Sequence, residues 1–511
     1  MASRVLLLTP ARRFFANRFG IGYQMPLGLV LIGGPLVDAG HTVRLVDNDL
    51  YGWKPHRLVE EVRRFAPDFL LMGHTSSTAA HDACVATARV LKQAFPSLPI
   101  AYGGVYPSYA AESVLQECAE IDVVVRGEGE ATALALVDAW ERGAPLAEVE
   151  GITWRDGETI RANRARLPIT NLNDYRPGWE LVDWEGYTLF GFGRSAGIQF
   201  SRGCPLTCTH CGQWSFWKRW RHRSPENVVA ELRTLKEQYG VKIVWFADEN
   251  FAADQEAAVE LLERIVAADL GLSLNINMTA ADAVRDAALL PLYKAAGVDY
   301  VIMGIEALDD AVVSSIRKNN PFTISKQAIA ALRKNDIFSW TNIIYGLEDE
   351  TVGTMVEKFR RSFELDPEVL NGCYLTPHFW TAAGRATNPA DVIQLDMSKW
   401  TYRNQVIAAP QLSPLTLFVG VKLTEMVFHL RPRALTRFLW EGGDERLRRL
   451  RRATFWSGMR VVAAEVAEFV FKTRFSPRGT LARLRGEPER VTAPREAIPI
   501  RVHAPAETLV G

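Results

Sequence analysis

The sequence predicts an α/β chain in three parts: a doubly wound parallel sheet, a partial barrel of about six strand–helix units, and a helical C-terminal region. Three observations predict it. Short apolar runs alternate with helix-spaced apolar patterns twice over, once before about residue 145 and again from Gly197. Turns carrying glycine, serine or carboxylates fall at the ends of those runs. Past Trp400 the pattern becomes helical only. Strands alternating with helices at this spacing give parallel sheets.

Composition sets the bounds. With 511 residues the chain has room for two to four domains. Hydrophobic residues make up 48% and charged residues 23%, ordinary globular values. The formal net charge of zero gives no case for nucleic acid. No apolar run approaches the ~20 residues of a membrane-spanning helix. The opening MASRVLLLTP is too short in its apolar part for a signal peptide and reads as a first buried strand. Six cysteines in a chain of this length suit a reducing compartment, so a cytoplasmic protein is expected.

In the first domain, residues 1–145, strands are predicted at Arg4–Leu8, Thr42–Val46, Phe69–Met72, Ile100–Tyr102 and Val123–Val125. Helices are predicted at Leu27–Ala39, Leu58–Phe65 and Ala79–Ala94. Doubly wound sheets bind ligands at the carboxyl ends of their strands. Three turns fall there: Gly73–Thr78, Gly103–Ser108 and Arg126–Glu130. Glycine lets a ligand approach the backbone, and serine adds short hydrogen bonds. Ser76, Ser77, Gly103, Gly104, Gly127 and Glu128 are the candidate contacts. A linker, 146–190, follows. Its EGITWRDGETIR reads as a hairpin turning at Asp156-Gly157. Its DYRPGWELVDWEGY offers aromatic residues for packing between domains.

The second domain, residues 191–400, repeats the alternation. Strands are predicted at Ile198–Phe200, Lys242–Phe246, Leu272–Asn277, Tyr300–Gly304, Ser339–Ile344 and Gly372–Thr376. Helices are predicted at Pro225–Tyr239, Gln255–Ala268, Asp286–Ala296, Ile324–Asn335 and Thr351–Glu364. Ser224 and Pro225 form the start signal of the first helix. In barrels the chemistry sits at the carboxyl ends of the strands. Asp248, Glu249, Asn277, Glu306 and Glu348 occupy those ends. A cap for the helix that follows is the alternative role for each.

The loop after the first of these strands carries SRGCPLTCTHCGQWSFWKRW. Cys204, Cys208 and Cys211 are spaced Cys-x3-Cys-x2-Cys. Three thiolates on one loop suit three irons of a [4Fe–4S] cluster, leaving one iron open. Structural zinc is the competing reading, with His210 inside the motif, but a zinc ribbon brings two such pairs and no second pair exists here. Cys84, Cys118 and Cys373 stand singly, as buried apolar residues do. Trp214, Phe216, Trp217 and Trp220 could cover a cluster, line a flat substrate site or pack the core.

This motif resembles the radical SAM enzymes. The resemblance implies that the open iron binds S-adenosylmethionine, which is cleaved to methionine and a 5′-deoxyadenosyl radical. It places Asp248 and Glu249 at the amino group, Glu306 at the ribose, and Glu348 on a strand lying along the adenine, with Asn277 beside them. The preceding YGGVYPS…DVVVRGEGE resembles the Rossmann-like cobalamin-binding domain of cobalamin-dependent radical SAM proteins. The Asp-x-His-x-x-Gly signature of a cobalt-ligating histidine is absent, and His74 and His81 have the wrong spacing. Over about 174–366, RPGWELVDWEGY, WFADEN and NIIYGLEDET are similar to the family of anaerobic magnesium-protoporphyrin IX monomethyl ester cyclases. The first domain's RFFANRFGIGYQMPLG looks like the general cobalamin-dependent class instead. The resemblance implies a small-molecule substrate such as a porphyrin, little oxygen, and a reductant such as flavodoxin or ferredoxin. A carbon methyltransferase on another apolar scaffold and a non-catalytic cobalamin or iron–sulfur sensor are the alternatives.

The C-terminal region, residues 401–486, is predicted helical over Leu415–Leu430, Ala434–Trp440 and Arg446–Phe471. From Arg431 to Arg485 fourteen Lys and Arg face five Asp and Glu, interleaved with aromatic residues. Such helices can lie on an anionic membrane or form a solvated cover over the barrel opening. Residues 487–511 lack periodicity and read as a loose tail.

Overall fold

The computed structural model describes residues 2–12, 24–75, 77–318, 320–347, 349–439 and 444–475. Ser76, Glu348, Trp440, the tail from 487 and most of RFFANRFGIGYQMPLG lie outside the described residues.

The first sheet is built on β1 (Arg4–Thr9), β2 (Thr42–Asp47), β3 (Phe69–Gly73), β4 (Ile100–Gly103) and β5 (Val123–Val125), paired in parallel in the order β2-β1-β3-β4-β5. β3 and β5 are buried along their whole length, which is why they read as unbroken apolar runs. Helices α1 (Leu27–Asp38), α2 (Pro55–Phe65), α3 (His81–Ala94) and α4 (Glu130–Arg142) lie between the strands in sequence. α4 is absent from the sequence reading because its apolar positions are largely alanines, which give little periodic contrast. The strand order reverses between β1 and β3, so a crevice opens at their carboxyl ends. The hairpin forms as β6 (Ile152–Asp156) and β7 (Thr159–Ala162), with Gly157 at φ +59° in the turn. β6 pairs antiparallel with β5, so the hairpin extends the first sheet to seven strands.

The aromatic connector packs against both sheets' layers. Trp179, Trp184 and Tyr187 are buried in the core of the second domain. Trp179 donates to Glu231 at 2.8 Å, and the Tyr187 hydroxyl donates to Asp47, at the end of β2, at 2.8 Å. A Cβ on Gly34 of α1 would stand 2.0 Å from the Arg176 carbonyl, so only glycine lets the connector cross that helix.

The second sheet is six parallel strands: β8 (Ser195–Ile198), then, beyond the short ribbon β9 (Ser201–Arg202) and β10 (Arg221–His222), β11 (Ile243–Phe246), β12 (Ser273–Asn277), β13 (Val298–Glu306), β14 (Phe338–Tyr345) and β15 (Val369–Tyr374). The order β8-β11-β12-β13-β14-β15 follows the chain, as in a partial barrel. Crossovers use α5 (Pro225–Tyr239), α6 (Gln255–Ala268), α7 (Phe322–Lys334) and α8 (Val352–Leu365). Ser224 caps α5, accepting from the Asn227 N–H. The helix predicted over Asp286–Ala296 is instead two short ones, Ala280–Arg285 and Leu290–Ala295. They break at Asp286, whose buried carboxylate accepts from Arg285 and from the Tyr293 hydroxyl at 2.8 Å.

The C-terminal helices are α9 (Pro414–His429), α10 (Pro432–Leu439) and α11 (Glu445–Phe471). α9 lies on β15, where a Cβ on Gly372 would meet Val421 at 2.6 Å. Part of the basic excess is buried: Arg431 and Arg437 bind Asp366, and Arg451 binds Glu368. Just before that stretch, Lys422 and Arg403 bind Glu425 and Glu465. No helix among the described residues is long and apolar enough to cross a membrane.

Candidate functional site

The cysteine loop is held at both ends by the ribbon, in which Arg202 pairs with Arg221 and Ser201 with His222. Gly203 opens the loop at φ +94°, and a Cβ there would stand 2.5 Å from the Arg219 carbonyl. Within the loop the Cys211 N–H donates to the Cys208 carbonyl at 3.2 Å, and Trp214 donates to the same carbonyl at 3.3 Å. From across the barrel, the Ile316 carbonyl accepts from Thr209 at 3.0 Å, and the Cys208 thiol donates to the Arg317 carbonyl at 3.7 Å. All three thiols are free. Burial pushes each of them up, Cys211 to about 12, with the charge of Glu249 adding to it. Among the described residues no three ligands converge as they would on one ion. A cubane takes one thiolate on each of three irons, so its ligands stand apart. Three uncrosslinked thiols on one glycine-hinged loop fit that cluster.

The end of β11 faces this loop. Asp248 is buried, and its carboxylate accepts from the Phe200 N–H (2.9 Å), the Ser201 N–H (2.7 Å) and the Ser201 hydroxyl (2.6 Å). Both oxygens, expected at S-adenosylmethionine, are committed to the strand that delivers the cysteines. Burial pushes Asp248 up to about 7 even so. Glu249 lies close to Trp217 and to Cys211, whose thiol its charge raises, and burial raises it too to about 7. Asn277 donates to the Asp248 carbonyl at 2.8 Å and so locks the turn after β11. Glu306 sits at φ +67° on a register shift at the end of β13. It meets Lys318 at 3.3 Å and stands 3.8 Å from His210. A Cβ on Gly304 would collide with the Glu306 carboxylate, at 2.0 Å. Lys318, which sequence reasoning missed, thus brings a buried cation to the cluster loop. Its only signal was its place in the loop beyond a barrel strand.

At the first sheet the candidate cradle lies over β3, β4 and β5. Gly103 ends β4. Gly104, at φ +123°, has a conformation closed to side chains, and Gly127, at φ +76°, has open space where a Cβ would be. Ser77 sits at φ +50° with a buried hydroxyl that has no hydrogen-bond partner among the described residues. An orphaned hydroxyl beside bare backbone fits a large polar cofactor lying on the strand ends. Glu128 does not face that space: its carboxylate binds Arg221 at 2.7 Å and Arg202 at 3.5 Å, across the domain boundary.

The two halves also meet through the segment after β15, another feature absent from the sequence reading. His378 stacks on Trp380 at 4.7 Å and hydrogen bonds the Thr78 hydroxyl at 2.9 Å. Trp380 stacks flat on Tyr109 at 5.2 Å and leaves no room for a Cβ at Gly212 of the cysteine loop. An aromatic–histidine cluster at a strand end was the available signal. Burial holds His378 down to about 4, against an ordinary 6.5. A histidine lowered in this way contributes stability that is full above its unfolded value and lost as pH falls through its folded one. The melting temperature is expected to drop between pH 6.5 and 4, with about 3 kcal/mol at most coming from this residue. A His378→Gln variant followed by thermal denaturation should lose less over that window.

Residues 198–361 match the radical SAM superfamily and residues 22–137 the B12 binding domain. The anaerobic magnesium-protoporphyrin IX monomethyl ester cyclase of Synechocystis is 37% identical over 95% of this chain and 97% of its own length. The hopanoid C-3 methylase of Methylococcus capsulatus is 26% identical over 79% of this chain and 76% of its own. The solved radical S-adenosylmethionine methyltransferase TsrM from Kitasatospora setae, with cobalamin and a [4Fe–4S] cluster bound, shares the fold. It superposes with a TM-score of 0.68 at 16% identity, covering 92% of this chain and all of that one. The cofactors are therefore a [4Fe–4S] cluster, S-adenosylmethionine and cobalamin. This chain belongs to the cobalamin-dependent radical SAM enzymes, in the family of the anaerobic magnesium-protoporphyrin IX monomethyl ester cyclases.

Proposed function

We propose that this enzyme is an oxidative cyclase of a magnesium porphyrin monomethyl ester. The observation that carries the reading is the reach of the likeness: the cyclase from Synechocystis aligns along 97% of its own length. When bound, the cofactors supply one-electron reduction, hydrogen-atom abstraction from an unactivated carbon, and cobalt chemistry. Cys204, Cys208 and Cys211 hold the irons, and Asp248 and Asn277 brace the strand and turn beside them. Glu249 faces the ammonium of S-adenosylmethionine, and Glu306 its ribose, with Lys318 balancing the charge. Glu348, outside the described residues, is assigned to the adenine by the family resemblance alone. Ser76, Ser77, Gly103, Gly104 and Gly127 support cobalamin. Trp217 and Trp380 keep water from the cysteine loop, which strengthens every charge interaction inside. The electron comes from a reductant such as flavodoxin or ferredoxin. The basic C-terminal helices meet a membrane peripherally.

The test is anaerobic loading with iron, sulfide and cobalamin, then incubation with S-adenosylmethionine, a reductant and the porphyrin ester, with products separated by mass. Deoxyadenosine with a cyclised porphyrin and no S-adenosylhomocysteine is expected. S-adenosylhomocysteine together with a methylated product would replace the cyclase by a carbon methyltransferase, the activity named for the hopanoid relative. A loaded protein that makes no deoxyadenosine would be a sensor.

A further inference from the structure

The outer face of α9 has no charge on it. Leu415, Val419, Leu423, Met426 and Val427 are all between 41% and 60% exposed, and Leu430 follows just past the helix end. Their spacing of three, four and eight residues places them on one side, opposite Leu417, Val421 and Phe428, which face the core. The second half of α11 repeats the pattern. Trp456, Met459, Val466, Val470 and Phe471 are exposed, Trp456 by 60% and Phe471 by 72%. The two helices are neighbours, joined by Phe418 stacked on Phe469 at 4.0 Å and by Lys422 paired with Glu465 at 2.7 Å. The two helices thus lie side by side, each with an exposed apolar stripe. Scattered exposed apolar residues need no explanation, but a helix whose exposed positions are almost all aliphatic does.

The charge around these stripes selects their occupant. Arg433, Arg446, Arg448, Arg449, Arg452, Arg460, Lys472 and Arg474 are exposed on α10, α11 and the residues just after it, against Glu445 as the exposed acid among the described residues there. On α11 the same face runs from arginines in the first half to apolar residues in the second. We infer that α9 and α11 form a docking surface for an anionic phospholipid bilayer, the aliphatic face entering the headgroup boundary and the arginines meeting lipid phosphates. Aliphatic side chains beside exposed cations are what an interfacial helix needs. A cavity of about 440 Å³ adjoins the surface, lined by Tyr374 at the end of β15, Arg403, Phe469, Phe471 and Lys472 among others. The inference rests on and deepens the peripheral membrane contact proposed above, and it holds whatever the substrate is.

The experiment is flotation of the full-length, cluster-loaded protein with vesicles of phosphatidylcholine, with and without phosphatidylglycerol, at low and high salt. The protein is expected to float with the anionic vesicles and to be released by salt, because exposed charges are screened. Leu423→Glu with Val427→Glu should lower the apparent partition coefficient more than about tenfold, since two aliphatic side chains no longer leave water. Arg452→Glu with Arg460→Glu should abolish the preference for phosphatidylglycerol. Unchanged iron content and melting temperature in both variants confirm that the fold is intact. The inference fails if wild type stays with the unbound protein, or if neither variant floats less. It fails too if wild type is a dimer that Leu423→Glu with Val427→Glu splits, because a second copy would then be what covers the face.

Discussion

Replacing Asp248 with alanine is expected to empty the cysteine loop of iron almost as completely as replacing Cys208, although Asp248 touches no cysteine. The Cys208→Ala loss is direct, since one of three ligands is gone. The Asp248 loss goes through the backbone. Its carboxylate accepts three hydrogen bonds from Phe200 and Ser201, the residues between β8 and β9. Alanine leaves two buried N–H groups and a hydroxyl without partners, at a cost of about 1–3 kcal/mol each. Ser201 is fully buried, so water does not replace them. Iron content after reconstitution and the melting temperature should fall together. Asp248→Asn is the informative partner. Burial already brings Asp248 to about 7, so near neutral pH the neutral form is almost half populated. Asparagine keeps a carbonyl acceptor and should retain most of the iron. A carboxyl raised from 3.8 to about 7 contributes stability that is full at low pH and lost as pH rises through the folded value. Wild type should therefore lose stability from about pH 4 to 7 relative to Asp248→Asn. Full iron retention in Asp248→Ala would remove the bracing role.

How far the site was legible follows the range of the interactions that make it. The cysteine triplet, the glycine turns and the strand-end carboxylates are local patterns, and periodicity found six barrel strands, the first of them displaced, at Ile198–Phe200 against β8 at Ser195–Ile198. Direction was not legible. Asp248 and Glu249 are adjacent in sequence, yet one turns to the backbone of Ser201 and the other to Trp217. Successive side chains beyond a strand face opposite ways, and a sequence does not say which side the cofactor is on. Glu128 lies in a glycine turn that reads as a ligand loop, but its partners, Arg202 and Arg221, are 74 and 93 residues away. Lys318, His378 and Trp380 escaped for the same reason, since each acts on a loop far from it in sequence. The outer face of α9 was hidden differently: the helix is apolar both where it meets β15 and where it is bare, and its charged residues, Lys422 and Glu425, are buried, so the pattern does not say which apolar side faces out.

Arg202→Met should then be the most damaging change that removes no cofactor contact. Arg202 immediately precedes Gly203 and Cys204, and it is buried. Its guanidinium binds Glu130, at the start of α4, and Glu128, and lies 5.2 Å from the Trp217 ring. Arg221, its partner across the ribbon, holds the other side of Glu128. Both strands that bracket the cysteine loop are thus pinned to the turn carrying Gly127, so the position of the cluster loop is set against the cobalamin cradle by charge. Methionine keeps the volume and leaves Glu130 buried without its cation, a loss of about 3–5 kcal/mol. Adding Glu130→Leu removes the stranded charge and should return most of the melting temperature, because a buried ion pair contributes little net stability over apolar packing. Turnover separates stability from alignment. If the network only stabilises, the double variant recovers activity along with its melting temperature. If it sets the distance between the two cofactors, deoxyadenosine formation, which needs the barrel alone, returns in the double variant while formation of the final product stays low.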